Sequence, residues 1–264
     1  MLTPPEYRLI NGRVYDAVPA CLYRAHGNAQ ARQLASADWL VRDRRDGRYV
    51  ATLHHGRARF FLRNSRPRPR ADALDELLFD AAAGSGLRPV SDLEPLLAEL
   101  GLDVLEYAER SGLAPVAEPV QLEYAGRDRY RRPLWLDYDA AKAWRRMRAA
   151  AGGDGVILDA ISGFRSAHYQ MGIFRRKLAR GLTVSDILQV NTAPGFSEHH
   201  SGHALDIGTP GEPPAEERFE ATAAFAWLQA RAGEFGFGMS YPRGNRHGIA
   251  YEPWHWCWSE DAQS

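Results

Sequence analysis

Three histidines and two acids crowd into one short segment, Ser197-Glu-His-His-Ser-Gly-His203-Ala-Leu-Asp206, and an acid–histidine pair, Glu252-Pro-Trp-His255, follows about fifty positions later. Neutral imidazoles with a carboxylate suit zinc, which takes three protein ligands and keeps one open position when catalytic. Two ligand sets compete. His199 and His203 stand four apart, as two ligands on one helical face would. Against that set, Ser201-Gly202 interrupts the segment, no Glu follows His199 directly, and Ala204-Leu-Asp-Ile207 alternates like a strand. The other set takes His199 from a turn, Asp206 from the strand and His255 from the C-terminal segment. It leaves Glu252 three residues before His255, within reach of a metal-held water. The second set is preferred, and it requires two segments remote in the chain to lie side by side.

The remaining pattern supplies an α+β chain in two parts. Asp38 to Arg63 reads as a β-meander: three strand-like runs broken at Asp46-Gly47 and His54-His-Gly56. Prolines 67 and 69 forbid a helix in the arginine-rich stretch that follows, which reads as a solvated surface. Helices are expected over Asp72–Ala83, from a Ser91 cap to Leu100, and over Asp103–Ser111. Pro115, Pro119 and the small residues between them read as a linker, with a boundary near residue 117. The expectation is a smaller α+β domain over 1–117, of no assigned role, and a second domain over 118–264.

That second part alternates between periods. Helices are expected from Asp139 to about Ala150, over Ser166–Leu182 and from about Glu216 to Gly233. Short strands are expected at Val156–Ile161, His203–Ile207, Gly238–Tyr241 and Ile249–Glu252. The class is α+β, helices packed on a small, mainly antiparallel sheet.

Composition excludes several functions. With 33 basic and 33 acidic residues the formal net charge is zero, which disfavours a dedicated nucleic-acid binder. No apolar run approaches the roughly 18 residues of a membrane span, and Met1–Arg8 lacks the basic and apolar regions of a signal peptide. A cytoplasmic protein is the default expectation. Cys21 and Cys257 are too few for a disulfide framework and read as free thiols.

Ordered along the chain, these motifs resemble a known family. Ser197, His199, Gly202, Ala204 and Asp206, followed by Glu252 and His255, are similar to the signature of the VanY-type zinc D-alanyl-D-alanine carboxypeptidases, a group that includes the D-Ala-D-Ala dipeptidases and the hedgehog-type fold. Ser162-Gly-Phe-Arg-Ser166 with Gln170, Phe235–Pro242 and Tyr251–Trp256 resemble further family elements, so the likeness covers roughly residues 135 to 258. The resemblance implies one Zn2+ on His199, Asp206 and His255, with Glu252 as general base for the attacking water. It implies that Arg165 stabilises a carboxylate or the oxyanion, and that Gln170 and Ser197 bind substrate. The implied reaction is hydrolytic removal of a C-terminal D-amino acid from a peptidoglycan-type peptide. A stem-peptide endopeptidase of the same group and a non-catalytic zinc-bearing binding module are the alternatives. His168, His200, His203 and His247 are expected to stand outside the metal site. Cys257-Trp258 departs from the polar residue that usually follows the terminal motif.

Overall fold

The computed structural model describes residues 7–25, 27–61, 70–84, 86–90 and 92–260. Backbone contacts gather the chain into two units, Met1–Leu87 with Pro119–Tyr124, and Arg88–Glu118 with Ala125–Ser264. The boundary expected near residue 117 therefore falls elsewhere: the chain leaves the first unit at Leu87 and returns to it for Pro119–Tyr124. The expected linker is in part packed chain. Val116 donates its N–H to Gly195 O at 2.8 Å, and the Glu118 carboxylate, 5% exposed, accepts the Ala167 N–H at 2.7 Å. A buried carboxylate at a helix N-terminus is held by the orphan donors there, which small residues and prolines do not advertise.

In the first unit, β1 (Arg8–Asn11), β2 (Tyr15–Pro19), β3 (Trp39–Asp43), β4 (Tyr49–His54) and β5 (Arg57–Phe60) pair antiparallel in sequence order. The start of β6 (Gln121–Arg127) pairs with the other edge of β1. The expected meander is β3 to β5. Its second turn holds His55 at φ 47 and Gly56 at φ 75, the two left-handed residues of a tight hairpin. Helix α1 (Asn28–Ala35) precedes β3, and α2 (Ala71–Ala83) lays Leu74 and Leu77 on Ile10, Ala17, Val41 and Leu53. Gly12 permits that approach, because a Cβ there would meet Tyr15 O at 2.6 Å and Leu77 Cδ1 at 2.9 Å. Most of the arginine–proline run, 62–69, lies outside the described residues.

The second unit opens with α3 (Leu93–Ala98) and α4 (Val104–Ser111), the latter capped by the Asp103 carboxylate, which accepts from Leu105 and Glu106 N–H. Asp92 occupies the cap position of α3, and Ser91, the expected cap, lies outside the described residues. After β7 (Pro133–Leu136), Asp137 caps α5 (Tyr138–Gly153). Residues 140, 144, 147 and 151 recur at helical spacing and are buried. They join Leu205, Ile207, Leu228 and Trp256 in the main core. Full burial of Trp144 and Met147 stabilises this layer by about 1.5–3 kcal/mol each.

The sheet beneath them has four antiparallel strands, β8 (Asp159–Ser162), β9 (Ala204–Gly208), β10 (Phe237–Met239) and β11 (His255–Trp258), in the order β8-β9-β11-β10. Helix α6 (Ala167–Leu178) follows β8, capped by Ser166. The expected helix to Leu182 ends early; α7 (Val184–Leu188) starts afresh from a Thr183–Asp186 capping box. The long helix expected from Glu216 is a 3-10 turn, then α8 (Ala223–Arg231), then another 3-10 turn, because the Thr222 hydroxyl caps Phe225 N–H. The last strand lies at 255–258 rather than 249–252. Pro253 has no N–H to give a ladder, and Glu252 N–H is already donated to Tyr241 O. Among the described residues, no helix is long and apolar enough to cross a membrane.

Candidate metal centre

Strand register puts the central groups together. Asp206 on β9 stands directly opposite His255 on β11, and Asp206 Oδ1 lies 3.1 Å from His255 Nδ1. His199 comes from the 3-10 turn Glu198–Ser201, which Gly202 closes at φ 76 before β9 begins. The left-handed backbone there is strained for any residue with a Cβ. His199 Nε2 reaches to 3.3 Å from Asp206 Oδ1. Among the described residues, His199, Asp206 and His255 each bring one ligand atom within 4.8 Å of the others. All three are buried.

Hydrogen bonds decide which ring nitrogens face inward. His199 Nδ1 lies 2.8 Å from Gly163 O, which can only accept, so Nδ1 carries the proton and Nε2 offers a lone pair. That Nε2 is buried and has no hydrogen-bond partner. Gly163 has no alternative, since a Cβ would meet Trp135 O and Leu134 Cδ1 at 2.8 Å. His255 Nε2 donates to Glu198 Oε2 at 2.8 Å, which leaves Nδ1 toward Asp206. Burial opposes a charge on His255, but hydrogen bonds to Asp206 and Glu198 outweigh it and push the imidazole up to about 10. His199 goes the other way, down to about 4, through burial and the nearby Arg165. Asp206 is held well below the carboxylate range: burial works against this, and His199, His255 and Arg165 prevail.

An orphaned buried imidazole nitrogen, a second ring nitrogen and an ionised carboxylate converging on one point form an N,N,O donor set that fits a divalent metal such as zinc. A carboxylate on the far nitrogen of His255 and a carbonyl on that of His199 are the outer partners that orient such ligands.

Of the other residues singled out in the sequence, Glu252 and Arg165 stand beside this point. Glu252 Oε2 is 4.0 Å from His255 Nδ1, and burial first, then Asp206, pushes its carboxyl up to about 7 against the pull of His255. Arg165 Nη1 is 4.0 Å from Asp206 Oδ2, while its Nε is buried without a hydrogen-bond partner. Gln170 on α6 donates Nε2 to Thr192 O at 3.1 Å, and its Oε1 is buried and unpartnered. Ser197 is buried at the entry to the 3-10 turn, its carbonyl accepting from His200 N–H.

The bystander histidines are accounted for. His203 Nε2 faces Asp137 at 3.7 Å and its ring meets Trp258 edge-on, so the helical ligand pair is not formed. His168 pairs with Asp92, and His247 lies 2.9 Å from Ser111 O. His200 is fully buried; its Nδ1–H donates to Arg165 O and its Nε2 accepts Gly195 N–H. It is held neutral, near 4, chiefly by burial, and it anchors the backbone that carries Arg165.

The group that sequence reasoning passed over is Glu198. Its carboxylate takes the His255 proton and further hydrogen bonds from the Ser240 and Cys257 side chains. An acid in a turn carries no sequence signal of such a role.

Two histidines and one aspartate thus converge on a small antiparallel sheet, with a raised carboxyl beside them. Residues 133–261 match the model of the VanY family, D-alanyl-D-alanine carboxypeptidase. The chain is 36% identical over 126 residues to YodJ of Bacillus subtilis (strain 168), covering 46% of this chain and 45% of that one. It is 30% identical over 128 residues to the bifunctional D-Ala-D-Ala dipeptidase and D-Ala-D-Ala carboxypeptidase VanXYC of Enterococcus gallinarum, covering 46% and 66%. Similar solved structures include the LD-carboxypeptidase LdcB, with 31% identity, 49% of this chain and 62% of that one covered, and a TM-score of 0.45. A vancomycin-resistance D,D-pentapeptidase VanY in complex with Zn(II) matches at 27% identity, 47% and 73% coverage and a TM-score of 0.40. The chain spans 45% and 66% of the length of the two curated relatives, so its likeness to them is that of a domain.

Proposed function

We propose that the second unit is a zinc-dependent D,D-carboxypeptidase, which hydrolyses the terminal peptide bond of a peptidoglycan-type peptide ending in a D-amino acid. The observation that carries this is the convergence of His199 Nε2, Asp206 Oδ1 and His255 Nδ1 with the Glu252 carboxylate 4.0 Å from the last of them. These three atoms would hold the metal, which when bound supplies Lewis acidity and lowers the pKa of a water to about 7.

The chain's own residues do the rest. Glu252, poised near neutrality, takes the proton of the attacking water and returns it to the leaving amine. Arg165, its backbone tied to His199 O and to the His200 ring, directs a fixed guanidinium at the oxygen on which negative charge develops. The unpartnered Gln170 Oε1 accepts an N–H of the bound peptide, and Ser197 binds the same substrate.

The test compares wild type with Glu252→Ala on a pentapeptide ending in D-Ala-D-Ala, measuring zinc content and released D-alanine together. One zinc in both proteins, with D-alanine released by wild type alone, supports the proposal. Zinc without D-alanine from either protein rejects the substrate and favours endopeptidase action or simple binding. Absence of zinc from both rejects the ligand set.

A further inference from the structure

The short segment that leads into α6 carries Arg165, and its backbone is pinned at successive residues. Gly163 O accepts the His199 Nδ1 proton at 2.8 Å, and Phe164 N–H donates to Trp135 O at 2.9 Å. Arg165 N–H donates to His199 O at 3.2 Å, and Arg165 O accepts from the His200 ring. All of these partners lie within 133–261, the segment that matches the VanY family. The last tie comes from outside it. Ala167 N–H, one of the orphan donors at the start of α6, goes to Glu118 Oε1 at 2.7 Å, across 49 positions of sequence. The Ser166 hydroxyl is engaged elsewhere, accepting Tyr169 N–H at 3.1 Å.

Glu118 is held in place by its own neighbours. Two residues earlier, Val116 N–H donates to Gly195 O at 2.8 Å, and Gly195 N–H donates to His200 Nε2 at 3.0 Å. The Glu118 carboxylate is buried, so its removal leaves a buried N–H without an acceptor. What that N–H steadies is the backbone from which the Arg165 side chain departs. Arg165 Nη1 lies 4.0 Å from Asp206 Oδ2 at the metal centre, and its buried Nε has no hydrogen-bond partner. A guanidinium held so lightly takes its direction from its backbone. A misplacement of about 1 Å at a reacting centre can cost about a hundredfold in rate.

We propose that Glu118 is a positioning residue for this site: by holding the start of α6, it fixes Arg165 against the oxygen on which charge develops. This rests on the peptidase reading above and adds to it a residue from ahead of the matched segment. The role is geometric, so a neutral acceptor of the same reach serves in place of the carboxylate.

The test uses the full zinc-loaded chain as wild type, Glu118→Ala, Glu118→Asp and Glu118→Gln, each also built on Arg165→Ala. Release of D-alanine from a D-Ala-D-Ala pentapeptide gives kcat and KM, followed over hours in the slow variants. Zinc content and melting temperature are measured on the same samples. Glu118→Ala and the shorter Glu118→Asp are expected to lower kcat tenfold or more, with zinc retained and KM within threefold of wild type. Glu118→Gln keeps an acceptor oxygen at the same reach and is expected to stay within threefold in kcat. On the Arg165→Ala background there is no guanidinium left to aim. There the Glu118 substitutions should change kcat less than twofold, a non-additivity that a merely structural residue would not show. Should Glu118→Ala fail to fold, Glu118→Asp carries the comparison. Folded, zinc-loaded Glu118→Ala or Glu118→Asp with wild-type kcat, or equal losses with and without Arg165, overturn the proposal and leave the peptidase reading intact. No turnover by wild type removes both.

Discussion

A metal bound at this centre would have to displace a proton from His255, whose two ring nitrogens both face carboxylates. His255 Nδ1 is the atom offered to a metal, yet in the metal-free protein both ring nitrogens donate to carboxylates and the imidazole titrates near 10. His199, near 4, and Asp206, well below its usual range, have no proton to give at pH 6. In Glu252→Gln, which removes the carboxyl raised to about 7, zinc uptake at pH 6 is expected to release one proton per metal. That pH is also below the range, about 7, where zinc-held water ionises. Affinity should therefore rise tenfold per pH unit between pH 5.5 and 6.5, or about 1.4 kcal/mol per unit. Competition against a chelator of known affinity gives the slope, and calorimetry in buffers of different ionisation enthalpy counts the protons. Glu198→Gln removes one of the two acceptors that hold the proton and orient the ring. The same experiment should show affinity lower by about 10- to 100-fold. A flat affinity profile, or zinc uptake without proton release, would refute the assignment of His255 Nδ1 as a ligand.

Three further outcomes are expected. Glu252→Gln should retain its zinc while losing about 10²- to 10⁴-fold in kcat, read by D-alanine release and metal analysis on one sample. Gly163→Ala forces a methyl to 2.8 Å from Trp135 O and Leu134 Cδ1, so about 1–3 kcal/mol of stability should be lost, with a lower melting temperature and weaker zinc binding through His199. His255 has a folded pKa above its ordinary 6.5; the stability it contributes is full below 6.5 and disappears as pH rises through 10. Metal-free protein should therefore lose melting temperature between pH 7 and 10 relative to a His255→Gln variant.

The convergence of the candidate ligands His199, Asp206 and His255 is legible because each sits at a place where local chemistry speaks: a turn closed by glycine, an alternating strand, and an acid–histidine pair around a proline. The strand expected at Ile249–Glu252 forms six residues later, at His255–Trp258, since Pro253 and the Glu252–Tyr241 backbone bond push pairing there. Glu198 was invisible for a different reason. Its meaning lies in a partner 57 positions away, and nothing in the local pattern separates it from any exposed acid. The same holds for Glu118, whose proline-flanked setting reads as linker although the side chain is buried on α6. The return of Pro119–Tyr124 to the first unit rests on long-range pairing with β1 that no short window contains.

The pairing of Asp206 with His255 across two adjacent strands makes the centre sensitive to parity. Side chains alternate across a strand, so one residue gained or lost within Ala204–Gly208 or His255–Trp258 would turn a ligand to the opposite face. Two residues would restore the face yet shift the partner. The stretch from Pro210 to Arg218, exposed but for the half-buried Glu212 and Pro213, follows β9 without lying in either ladder. Insertions there leave the count untouched. Length variation in this chain thus has a permitted outlet, where the molecule can gain new surface without renumbering its chemistry.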